Sequence, residues 1–157
     1  MTDLDDQDFE AIGRMVVACA RLEGVVRPVL AALMGLQEDM ARIAMADRPY
    51  SWILEGLKAA VQSRVADDAL NGEWRAWITD AQRANVARNG VVHALWIGMG
   101  AYRGDVMASV RSPRRRGHAH TLEFTDRKGL AKLGTTADHH TQRLVDLIKK
   151  TPGILAQ

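Results

Sequence analysis

The sequence predicts an all-α fold, a bundle of four main helices with a β-hairpin inserted before the last. Three observations carry this expectation. Apolar residues recur every three or four positions over four long stretches, the spacing of helices with one buried face. The connections between those stretches are short, which sets neighbouring helices side by side. Over about residues 102–124 the spacing falls to alternation around a turn rich in Arg, Pro and Gly, the mark of two paired strands.

The first helix is expected over residues 5–35, with Phe9, Ile12, Val16, Cys19, Val26, Leu30 and Leu33 as its apolar seam and Pro28 as a point of kinking. A polar stretch over 37–47 adds a turn or two of helix before Arg48-Pro49 breaks it. The second main helix spans 51–70, capped by Ser51, burying Leu54, Leu57, Val61 and Val65, and stopped by Asn71-Gly72. The third, over 73–97, carries the seam Trp74, Trp77, Ala81, Ala84, Arg88, Val91 and Leu95. Strands are expected over 102–110 and 119–124, around the turn Arg111-Ser-Pro-Arg-Arg-Arg-Gly117. Thr125 and Asp126 can each cap the last helix, which runs to about Lys150 through Leu130, Leu133, Leu144, Leu147 and Ile148 before Thr151-Pro152-Gly153 ends it.

A length of 157 residues suits one domain, 1–157, with a core large enough to fold without staples. Hydrophobic residues make up 47% and charged residues 25%, the balance of a soluble globular chain. With aromatics at only 5%, the core must be mainly aliphatic. The formal charge of +2 is too small to indicate nucleic-acid binding, so any basic site has to be a local patch. The single cysteine, Cys19, excludes an intrachain disulfide and reads as core filler. No stretch is apolar enough to cross a bilayer, and the acidic N-terminal residues do not resemble a secretory signal. A cytoplasmic location, with no membrane partner, is the expectation.

Two charges interrupt the apolar seams, Glu23 on the first helix and Arg88 on the third. An unpaired ion in apolar surroundings costs several kcal/mol, roughly, so each is expected to find the other or another polar partner. If Leu22 and Ala87 or Val92 take the inner positions instead, both charges lie at the rim. The opposite face of the third helix is also not wholly polar. Gln82, Val86, Asn89, His93 and Trp96 or Ile97 share it, and its apolar members suit contact with a second chain. Gly90 would allow close approach of another backbone. Asn89 and His93 stand four apart, where the amide can orient the imidazole.

The run Arg88-Asn89-Gly90-Val91-Val92-His93 resembles the signature of the HEPN superfamily, an Arg, usually followed by a polar residue, and a His four to six positions later near the end of a helix. The helical architecture and chain length are similar too, whereas the residue-level match is confined to Arg88, Asn89 and His93. The resemblance implies a homodimer whose two motifs meet in one cleft, built through the helix carrying Asn89, His93 and Trp96. It also implies a metal-independent endoribonuclease, with no cofactor, of the kind found in toxin–antitoxin and defence systems. His93 would exchange protons with the ribose 2′-OH and the leaving 5′ oxygen, while Arg88 would stabilise charge on the phosphoryl oxygens. Asn89 would hold the imidazole or touch phosphate, and Glu23 is a candidate orienting acid. The implied substrate is RNA, tRNA or mRNA, and an antitoxin protein is an implied partner. Some toxins of this kind carry a modifiable Tyr two places after the His; this sequence has Leu95 there. The alternative expectation is a non-catalytic HEPN-like dimer that binds RNA or protein.

Arg111, Arg114, Arg115 and Arg116, with His118 and His120 beyond them, form the one concentrated basic patch. On a hairpin tip these arginines can grip RNA phosphates, though an exposed charge run can equally be only solvated. His139 and His140 lie on the last helix, His140 on its seam as a hydrogen-bonded core residue. No metal site is expected, since neither Cys ligands nor a His-Glu helix pattern accompanies the histidines. No serine nucleophile motif and no phosphate-binding glycine loop is present.

Overall fold

The computed structural model describes the backbone of residues 5–92, 95–98, 106–111 and 121–154, and the side chains of 5–92 and 126–154. Helices dominate the described residues: α1 (Asp6–Met34), α2 (Glu38–Met45), α3 (Tyr50–Arg64), α4 (Asp68–Val92) and α5 (Arg127–Lys150). Among the described residues three short strands lie between α4 and α5, namely β1 (Leu95–Gly98), β2 (Val106–Arg111) and β3 (Thr121–Asp126). They pair antiparallel in the order β1-β2-β3, with Leu95 opposite Val110 and Arg111 opposite Thr121. No described helix is long and apolar enough to cross a membrane.

The helix ends have local causes. At the start of α1, Asp5 and Asp8 form a reciprocal capping box, each carboxylate accepting the other residue's backbone N–H. That bond to Asp8 N–H holds the Asp5 carboxyl below its ordinary range, and Arg127 adds to the effect. Arg127, the first residue of α5, donates to Asp8 at 2.8 Å, to Asp5 at 2.6 Å and to Gln7 at 2.6 Å, fastening the beginnings of the two helices together. α1 continues unbroken past Pro28 and stops at Gly35, whose left-handed φ of 67° lets the Gly35 and Leu36 amides close onto Ala32 and Ala31. Asp126 caps α5 by accepting from Gly129 N–H at 2.6 Å.

Several boundaries differ from those read in the sequence. Pro49, rather than Ser51, precedes the first turn of α3. Asn71-Gly72 does not stop a helix, because α3 ends at Arg64 and α4 has begun by Asp68. From inside α4 the Asn71 amide donates back to the carbonyls of Val61 and Val65 and closes the end of α3. Residues 37–47 hold the expected turn or two of helix, but as a separate element, α2, which makes five helices among the described residues where the sequence counts four main ones. α4 ends at Val92 rather than continuing to Ile97, and Leu95, Trp96 and Ile97 belong to β1, a strand the sequence reading did not include.

α1 and α5 pack along each other, with α3 and α4 completing the bundle. Its centre holds Val26, Leu30, Ile53, Leu54, Leu57, Trp74, Trp77, Ile78 and Leu144. Each such large side chain contributes about 1.5–3 kcal/mol through burial. The two indoles meet edge to face at 6.4 Å, and each N–H is satisfied, Trp74 by Thr151 Oγ1 and Trp77 by the His140 carbonyl. A smaller cluster of Met15, Val91 and Leu130 ties the end of α4 to α1 and α5. This second cluster fixes the part of α4 that carries Arg88.

The seam of α1 is as expected at Val26, Leu30 and Leu33 and differs from the expected one only in the first half of the helix. Met15, Ala18, Leu22, Val26 and Leu30 point inward, whereas Phe9 is 60% exposed and Ile12, Val16 and Cys19 are only partly buried. Leu22 therefore occupies the inner position beside Glu23, and the carboxylate sits at the rim.

Candidate functional site

Arg88 lies four residues before the end of α4 and is half-buried. The burial of Trp74, Trp77, Ile78, Ala81, Asn85 and Val91 sets the rotation of the helix, which leaves Arg88 at the edge of the packed face. Its Nη1 donates to Asn89 Oδ1 at 2.9 Å. This bond restrains the guanidinium and turns the Asn89 carbonyl oxygen toward it. The amide orientation expected toward His93 is thus directed at Arg88, and His93 itself lies outside the described residues.

The Arg88 side chain borders a narrow crevice at the junction of α1, α3, α4 and α5, with space for a single water-sized group. Ala81 and Ala84 of α4 and Ala137 of α5 leave this space because they are small. Its polar lining comes from Glu23, Tyr50 and Asn85 in addition to Arg88.

Glu23 and Arg88 share the crevice, and of the two expected outcomes each finds another polar partner rather than the other. Glu23 accepts from Arg27, one helical turn along, at 2.7 Å. Arg27 also donates to the carbonyls of Met45 at 2.8 Å and Arg48 at 2.9 Å, so it joins α1 to the last residue of α2 and to the α2–α3 connection. The nearer partner wins because an i,i+4 pair requires no reach across the bundle. Glu23 is accordingly an anchor for Arg27.

Tyr50 carries no sequence signal as a site residue. Tyr50 opens α3 and is 8% exposed, and its hydroxyl has no hydrogen-bond partner among the described residues. Burial, and after it the Glu23 carboxylate, push the phenol pKa above its ordinary value. The phenol therefore stays protonated and remains a donor. Asn85, 9% exposed, stands three residues before Arg88 on the same face of α4; a polar residue within that seam was the available hint. The Cys19 thiol is raised chiefly by burial, with Arg88 opposing the shift, and it contacts Met15 Sδ at 3.7 Å. It is a packed thiol rather than a thiolate nucleophile.

Of the second face of α4, Val86 is 66% exposed and Asn89 half-buried, while Gln82 donates to Glu55 at 2.6 Å. Trp96 and Ile97, assigned to that face by helical spacing, are on β1 instead. Of the expected RNA-gripping residues, Arg111 ends β2, and Arg114, Arg115 and Arg116 lie outside the described residues, as do His118 and His120. His140 is buried as expected, but its Nδ1 has no hydrogen-bond partner among the described residues, while its carbonyl accepts from Trp77. No group of three or more metal-binding side chains occurs among the described residues.

No protein-family model, curated protein or solved structure matches this chain.

Proposed function

We propose that this chain is a HEPN-like, metal-independent endoribonuclease of the cytoplasm, acting as a homodimer in a toxin or defence role. The observation that carries the reading is the 2.9 Å bond from Arg88 to Asn89 at the end of α4, which holds a half-buried guanidinium beside a crevice. A guanidinium is always charged and presents several N–H groups in a plane, the geometry that phosphate oxygens accept. His93 supplies the proton transfer the arginine cannot perform.

In this mechanism His93 takes the proton from the ribose 2′-OH, whose oxygen attacks the adjacent phosphorus. The bond from phosphorus to the 5′ oxygen breaks, and the His93 of the second copy protonates that oxygen. Arg88 stabilises the charge that accumulates on the non-bridging oxygens. The products are a 2′,3′-cyclic phosphate and a 5′-hydroxyl. The basic run Arg111, Arg114, Arg115 and Arg116 grips the RNA backbone with affinity that falls as salt rises.

End-group analysis of RNA cleaved by the purified protein tests this chemistry. Cyclic phosphate and 5′-hydroxyl ends support it; 5′-phosphate ends contradict it. A protein that binds RNA without cutting it is instead the non-catalytic dimer.

A further inference from the structure

We propose that the crevice beside Arg88 is an oxoanion site, in which the Tyr50 hydroxyl, the Asn85 amide and the Arg88 guanidinium donate to the oxygens of one phosphoryl group. All three side chains line the same space. Tyr50 is more than nine-tenths buried, yet its hydroxyl bonds to nothing among the described residues. A native fold seldom leaves such a donor unsatisfied without a use for it. The room available suits one oxygen atom, and the alanines that create it cannot compete for the donors.

The charge balance favours an anion. Among the described residues Glu23 is the one carboxylate in the crevice lining, and it is paired with Arg27 at 2.7 Å. Arg88 forms no ion pair among the described residues and uses Nη1 for the neutral Asn89 amide, which leaves its remaining N–H groups for a ligand. A phosphate placing one oxygen between Tyr50 and Asn85 would keep its others at the mouth, within reach of the guanidinium. The same chemistry serves a free phosphate or a phosphodiester of RNA; the RNA source rests on the ribonuclease reading above.

The test is titration of the full chain with inorganic phosphate, and separately with a 2′-deoxy dinucleotide that cannot be cleaved, following the Arg88 Nε–H resonance. Tyr50→Phe keeps the ring and removes only the donor, and is expected to weaken phosphate binding about tenfold. Asn85→Asp sets a carboxylate against the anion and is expected to abolish binding. Response to both ligands identifies the RNA backbone as the source, and response to phosphate alone identifies the free ion. Wild type that leaves the Arg88 signal unmoved, or Tyr50→Phe that binds phosphate as tightly as wild type, overturns the proposal. RNA cleavage together with an unaffected Tyr50→Phe would remove this site and leave the ribonuclease reading standing. Phosphate binding lost in Tyr50→Phe, without cleavage by wild type, would do the reverse.

Discussion

Glu23 and Arg88 line one crevice, but the Glu23 carboxylate is bound to Arg27 at 2.7 Å while Arg88 turns to Asn89. The acid therefore serves the architecture and the guanidinium is left for a ligand. Because Arg27 also holds the Met45 and Arg48 carbonyls, Glu23→Gln should loosen the α2–α3 connection as well as the ion pair. A loss of about 1 kcal/mol is expected for this half-exposed pair, read from urea unfolding. No loss would mean that Arg27 holds the connection unaided.

Trp74 depends on a neighbour at the far end of the chain. Its indole N–H donates to Thr151 Oγ1 at 3.0 Å, and that hydroxyl donates in turn to the Leu147 carbonyl. Thr151→Val keeps the shape but leaves the buried N–H without an acceptor, at a cost of about 1–3 kcal/mol. A variant as stable as wild type in thermal unfolding would show that the indole finds another acceptor.

His140 should make the fold sensitive to mild acid. Burial, then the neighbouring Arg143, lower the imidazole pKa, with His139 adding to this and Asp80 opposing it. Above its ordinary value of 6.5, both folded and unfolded chains carry the neutral ring and stability is unaffected. Below it the unfolded chain binds a proton that the folded chain resists, so stability falls as pH drops through the lowered folded value. Between pH of about 7.5 and 5.5 the melting temperature of wild type should fall further than that of His140→Leu. Equal falls would assign the acid sensitivity to other groups.

The proposed dimer places the second face of α4 at its interface. Val86, 66% exposed, is the apolar residue of that face among the described side chains. Val86→Glu would put a charge into each half of a two-fold contact and is expected to yield monomers in sedimentation, with the fold intact. Wild type that is itself monomeric at micromolar concentration would remove the composite site.

The helical class was legible in the sequence because apolar spacing is a direct consequence of helix geometry, and residues such as Leu54, Leu57, Trp74 and Trp77 occupy the core as their spacing demands. Helix ends were less legible. Asn71-Gly72 has the composition of a stop, yet Asn71 uses its amide to close the preceding helix from inside the next. Leu95 to Ile97 extend the apolar pattern of α4 but belong to a strand, where pairing with β2 rather than helical period sets their conformation. At the site, Arg88 and Asn89 are close because they adjoin in sequence. Tyr50 and Asn85 could not be found that way, since their meeting depends on how α3 packs against α4.

The most direct measurement is the rate at which purified wild type, Arg88→Ala and His93→Ala cleave total RNA in the presence of EDTA. The account predicts cleavage by wild type and a loss of at least about a hundredfold in each variant, given folded proteins. Intact RNA with wild type, or variants that cut as fast as wild type, would contradict it.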